Sequence, residues 1–177
     1  MNQQNISDIY EANDKTRAKF KELIGSLSDE QLNSLPEGEK WTIAQFVEHV
    51  ATVEYGIVRI CTKLLNKAKE LGETSDGSAK ISAGFLQNFT GGGSRKFEAP
   101  ESVHPTGTRT VAESFAKMDE NRQKLEELRP LFESVGETEV KFPHPAFGEM
   151  TSHEWLLLIG GHEGKHIAQI KKILARM

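Results

Sequence analysis

The sequence has a single cysteine, Cys61, among 177 residues. An internal disulfide is therefore excluded, and a reducing cytoplasm is the expected compartment. Basic residues are not in excess either. There are 22 Lys and Arg against 26 Asp and Glu, a formal net charge of -4. A nucleic-acid binder would carry a basic face or stripe. The densest basic segment, Lys165 to Arg176, lies at the end of the predicted last helix, where cations complement the helix dipole. No nucleic-acid partner is expected. Apolar runs are short too. The longest lies near Trp155 to Ile159, far below the roughly 18 residues of a membrane span. No membrane association is expected. The opening MNQQNISDIYEANDK lacks the basic start and apolar stretch of a secretory leader.

What is present is an ordinary globular composition, with a hydrophobic fraction of 37%. The length suits one domain over residues 1–177 with a buried core. Four capping boxes mark helix starts: Ser28 with Gln31, Thr42 with Gln45, Thr110 with Glu113, and Thr151 with Glu154. In each, a hydroxyl accepts from a free first-turn amide, and a Glu or Gln three residues on accepts from the cap's own amide. Three of them precede long segments of helical period.

The first long helix is predicted from about Ser7 to Leu27, with Asn13 and Thr16 interrupting its apolar line. A short helix follows near Asp29 to Ser34. The second long helix runs from Thr42 to about Leu71 along Phe46, His49, Val50, Val53, Ile57, Ile60 and Leu64. The third runs from Thr110 to about Phe132, and Pro130 should end or bend it near its close. The fourth runs from Thr151 to about Arg176 along Trp155, Ile159, His162, His166, Ile170 and Ile173. Alternating steps of three and four keep such a line on one helix face.

Between the second and third long helices lies an extended connection carrying GETSDGS, TGGGSRK, APES and HPTG. In a four-helix bundle such a crossover lets two sequential helices run parallel. The expected architecture is therefore all-α: a four-helix bundle of up-down-down-up order, with a short helix near Ile81 to Asn88 inside the crossover. The stretch from Gly91 to Ser94 reads as flexible linker, having no Lys-Ser/Thr of a phosphate loop. A second connection, Glu137 to Met150, is expected to hold an extended piece at Thr138 to Phe142.

The chemistry lies in three histidines on lines otherwise given to the core. His162 and His166 are four residues apart and project from one helix face. His49 lies on the buried line of another helix, between Phe46 and Val53. A buried imidazole without a partner is costly. One divalent cation satisfies three of them with bonds of about 2.0–2.1 Å, and three protein ligands leave a coordination position for water or substrate. Zinc or nickel is expected first; iron and copper suit the same donors.

The segment HEGKH, His162 to His166, also matches H-E-x-x-H of zinc proteases. The extended form of that motif needs a glycine and a third histidine where this sequence has Gln169 and Lys172. Only 11 residues follow His166, too few for a later helix bearing the third ligand. That ligand must come from upstream, which points back to His49. Glu163 has two readings. It hydrogen-bonds a water at the metal, or acts there as general base, or it is an exposed helix residue. Asn13 and Arg122 either line a polar pocket beside the metal or face solvent at an edge. His104, His144 and His153 are expected at the surface or in loops. Of these, His144 deserves notice because its connection leads into the metal helix. Cys61 is expected to be a small buried residue.

Two stretches resemble the DinB-like (DinB/YfiT-type) metalloenzymes. One is KWTIAQFVEHVATVE, with Trp41 at its start and His49 on the core line. The other is HPAFGEMTSHEWLLLIGGHEGKHIAQIKKI, with its HP-x-x-G approach and H-x-x-x-H pair. The resemblance spans nearly the whole chain. It implies metal ligands at His49, His162 and His166, the same bundle order, and a homodimer. It also implies a small-molecule substrate and, in some relatives, a transferase or isomerase reaction using a low-molecular-weight thiol such as bacillithiol, mycothiol or glutathione. The motifs specify the scaffold far better than the substrate. A non-catalytic, stress-related metal- or ligand-binding bundle is the alternative function.

Overall fold

The computed structural model describes residues 2–91, 98–135 and 139–177. Most of the Gly91 to Ser94 linker, and Thr138 at the start of the expected extended piece, lie outside the described residues. The chain is predominantly helical. In order it forms β1 (Asn2–Asn5), α1 (Ile6–Gly25), α2 (Asp29–Asn33), α3 (Ile43–Glu70), β2 (Ser78–Ile81), α4 (Ala83–Gly91), a 3-10 turn at Glu101–Val103, α5 (Val111–Ser134), β3 (Phe142–His144), β4 (Gly148–Met150) and α6 (Ser152–Leu174).

All four capping boxes form. Ser28, Thr42, Thr110 and Thr151 each accept from the third residue of the helix, whose side chain accepts in return. Each such cap is worth about 1 kcal/mol over alanine. Three expectations need correction. Pro130 does not end α5, which continues to Ser134. A proline forfeits the bond from its own nitrogen and crowds the carbonyl four residues back, yet beyond it Val135 still donates to Leu131 O at 2.8 Å. The extended piece forms later than expected, as a hairpin in which Phe142 pairs with Met150 and His144 with Gly148. The third lies at the N-terminus, where Asn2–Asn5 forms an unforeseen strand pairing antiparallel with β2, Asn2 opposite Ile81.

α3 packs on α5 and α6, and α6 packs on α1. The apolar interior falls into two clusters. One holds Ile9, Ile57, Cys61, Leu65, Leu125, Phe132, Trp155 and Ile159. The other holds Phe20, Phe46, Val47, Val50, Met118, Ile170 and Ile173. Each long helix contributes to both clusters and carries buried polar residues where it passes from one to the other. These are Asn13 on α1, Glu54 on α3, Asn121 on α5, and Glu163 and His166 on α6. A polar belt thus crosses the molecule at mid-length. Buried polar groups need partners, and the belt is where the chemistry gathers.

Candidate metal centre

His49 lies two turns into α3 and is 3% exposed. Its Nδ1 lies 2.7 Å from the carbonyl oxygen of Val103, in the 3-10 turn of the crossover. A carbonyl only accepts, so Nδ1 carries the proton and Nε2 keeps its lone pair. The neighbouring Glu48 anchors that crossover. Its Oε1 accepts from the Thr106 amide and hydroxyl, and its Oε2 from the Gly107 amide. These three bonds hold the Glu48 carboxyl below its ordinary pKa against the opposing effect of its desolvation. Gly107 has φ +74, and a Cβ there would sit 3.0 Å from Gln45 Nε2, so glycine suits this turn. Trp41 covers the other side of His49, ring centroids 4.9 Å apart.

His162 and His166 face His49 from α6. Their Nε2 atoms are 3.2 Å apart, and the ring centroids of His162 and His166 lie 5.2 and 5.1 Å from that of His49. One ring nitrogen from each of the three lies within 4.8 Å of the others. His166 is buried beside Phe46. His162 alone of the three keeps some surface. Burial is the first cause of a lowered pKa in all three; repulsion from the other site histidines adds to it at His162 and His166, and repulsion from His104 and Lys165 at His49. His166 is pushed down to about 3. All three are therefore neutral near pH 7, the state in which imidazole binds metal.

The donor set fits a divalent cation. With bonds of 2.0–2.1 Å, the edge of a coordination tetrahedron is about 3.3 Å. The 3.2 Å between the two Nε2 atoms of α6 matches that edge. Without a cation, at most one of these two nitrogens can donate to the other. The third ring has already committed its proton to Val103.

Glu163 is 1% exposed, so the exposed-residue reading does not hold. Its Oε1 accepts from Arg17 Nε at 2.5 Å, while Arg17 Nη2 donates to Glu54 Oε2 at 2.6 Å. Burial raises the pKa of both carboxyls, that of Glu54 to about 7, against the lowering effect of Arg17. Asn13 is buried too. Its Nδ2 donates to Leu156 O and its Oδ1 accepts from Gly160 N, at 3.0 and 3.1 Å. A Cβ at residue 160 would meet that oxygen at 2.4 Å, so Gly160 is what lets α1 approach. Arg122 forks onto Asp14 through Nε and Nη2 and lies over the Tyr10 ring. It shares a small cavity with Asn13, Asp14, Arg17 and Glu54.

His144 is half-buried on β3, and burial lowers its pKa to about 4. Its Nδ1 accepts from the Ala146 amide, and its ring packs against Phe147 and Trp155. Phe147 continues to Phe85 and then Phe89, whose ring occupies the space a side chain on Gly161 would need. An aromatic wall therefore reaches α6 beside His162. His104 is exposed, as expected, with its ring edge on Trp41. His153 is not at the surface. It is 1% exposed, with Nε2 3.3 Å from Phe132 O. Cys61 is buried.

Arg17, Glu48, Glu54 and Val103 escaped the sequence reading. The spacing of Asn13 and Arg17, four apart on a helix, was the available sign for the first of these. Glu48 and Glu54 offered no comparable sign, and a backbone carbonyl offers none.

The chain is similar to the uncharacterized protein YuaE of Bacillus subtilis (strain 168), with 28% identity over 162 residues, 87% of this chain and 89% of that protein. The sequence pattern of the DinB superfamily matches residues 12–170, from the middle of α1 to the last turns of α6. Since that span covers most of the chain, the chain belongs to the DinB superfamily.

Proposed function

We propose that the protein is a divalent-metal-dependent enzyme, a transferase or hydrolase-like catalyst acting on a small molecule, with a low-molecular-weight thiol as cosubstrate. The observation that carries this reading is the convergence of three neutral imidazoles, one ring nitrogen of each within 4.8 Å of the others. His49, His162 and His166 hold the ion, zinc or nickel first among the metals that suit such donors. When bound, such an ion lowers the pKa of a water or thiol and keeps it anionic near neutral pH. The surface retained by His162 gives access, and the wall of Phe85, Phe89, Phe147 and His144 offers an apolar body something to lie against. Around this site the four long helices form one domain, an up-down-down-up bundle whose crossover carries Val103 to His49. The protein works in the cytoplasm as a homodimer. No described helix is long and apolar enough to cross a membrane.

A metal-binding bundle without catalysis is the second reading. It is favoured by Glu163, the carboxylate nearest in sequence to the histidine pair, being taken up by Arg17. Elemental analysis of freshly isolated protein tests the metal. Incubation of metal-loaded protein with a thiol and an electrophilic acceptor tests the chemistry. Turnover abolished by His49→Ala and by His166→Ala is expected. Turnover unchanged in both variants would overturn metal catalysis, and stoichiometric metal without any turnover would favour the second reading.

A further inference from the structure

We propose that Arg17 is a positioning residue for the metal centre, a brace from the ligand-free helix α1 that fixes the separation of the two ligand-bearing helices. The inference rests on the three-histidine reading above. Its geometric basis is independent of that reading. Arg17 Nε reaches Glu163 on α6, one residue after His162 and three before His166. Its Nη2 reaches Glu54 on α3, five residues after His49. A guanidinium is planar and rigid, so its two bonds hold the carboxylates at one spacing. One turn earlier on α1, Asn13 bonds Leu156 O and Gly160 N. Those two groups are four residues apart, the spacing of a helical hydrogen bond, so the amide spans that rung. Asn13 and Arg17 thus grip α6 on either side of His162, against both sliding and rotation.

Stability alone does not account for such a cluster. Buried ion pairs replaced as a whole by neutral groups of similar volume often leave a protein as stable as before or more so. What the cluster adds is placement. Small errors in placement matter at a metal, because outer groups that orient ligands commonly govern affinity tenfold to a hundredfold.

The test uses the full-length protein and cobalt(II), whose visible d–d bands report coordination geometry. Two variants are compared with the parent: Arg17→Lys, and the neutral triple variant Arg17→Met, Glu54→Gln, Glu163→Gln. The triple variant is expected to stay helical, with a metal-free melting temperature at or above that of the parent. Its cobalt affinity should fall about tenfold to a hundredfold, with altered d–d bands. Arg17→Lys keeps the charge but loses the fork, so it should move both readouts the same way by less. A folded triple variant with parental affinity and spectrum would overturn the proposal. If the triple variant fails to fold, Arg17→Lys decides by the same criteria. If the parent itself takes up no cobalt, the metal reading fails, and the brace is judged on the imidazole 15N shifts of metal-free protein. Shifts displaced by Arg17→Lys support it, and shifts identical to those of the parent sink it.

Discussion

Two buried polar clusters meet α6 at adjacent residues, His162 and Glu163. At Glu163, two carboxylates from different helices share a guanidinium that the chain itself supplies. At His162, three neutral rings converge with only hydrogen atoms to share. The first cluster draws its cation from the protein itself, though Arg17 Nη1 and Glu163 Oε2 have no hydrogen-bond partner among the described residues. The second could be completed by a cation from outside. Burial drives the acids toward their neutral form by raising pKa, and the bases toward theirs by lowering it. For the acids, Arg17 opposes that drift. For the bases no acidic group among the described residues opposes it; only hydrogen bonds to Val103 at His49 and Gln169 at His166 do, and burial prevails.

The contrast can be broken first at the imidazoles. Zinc added in slight excess should raise the melting temperature of the parent, since a ligand that binds only the folded state stabilises it. His166→Ala should abolish most of that rise while leaving the helical circular dichroism intact. An equal rise in both proteins would remove His166 from the ligand set. Breaking the other cluster should act without metal. Arg17→Met leaves two carboxylates buried without their cation, and loss of one partner of a buried pair costs about 3–5 kcal/mol. Urea unfolding of chelator-treated protein measures this, and a cost below about 1 kcal/mol would mean that water replaces the guanidinium.

A third intervention sharpens the role of the crossover. Glu48→Ala removes the acceptor for Thr106 and Gly107 and should loosen Val103 from His49. Zinc affinity, measured against a chromophoric chelator, should fall about tenfold. Unchanged affinity would show that His49 needs no outside help.

The smallest effect is in the pH dependence of the metal-free protein. His166 is depressed to about 3, so its contribution to stability is complete above the ordinary histidine value of about 6.5 and is lost as pH falls toward 3. Glu54 is raised to about 7, so its contribution is complete below its unperturbed value of 4.5 and is lost as pH rises through 7. The opposed slopes predict greatest stability near pH 6. Glu54→Gln removes the upper slope, so its stability relative to the parent should improve between pH 5 and pH 8 by on the order of 1 kcal/mol. Parallel pH curves for the two proteins would show that Glu54 titrates normally.

Helix starts and the core-facing histidines were legible because both rest on local spacing. A capping box needs only a residue and its third successor, and all four formed. Histidines on an apolar line stand out in any amphipathic segment. What was hidden depends on partners far along the chain. Neither reading of Glu163, at the metal or exposed, foresaw Arg17, 146 positions away, placed against it. His153 was misjudged for the same reason, since its partner is a carbonyl at the far end of α5. The β3–β4 hairpin and the N-terminal strand are too short to show a period of two.

The polar belt also bears on how the molecule opens. It separates two apolar blocks, each with its own share of every long helix. Such blocks can exchange their amides as separate cooperative units. A cation held by one ring from α3 and two from α6 would tie those two helices together where the second block meets the belt, so that loading the site should slow amide exchange there in both helices at once.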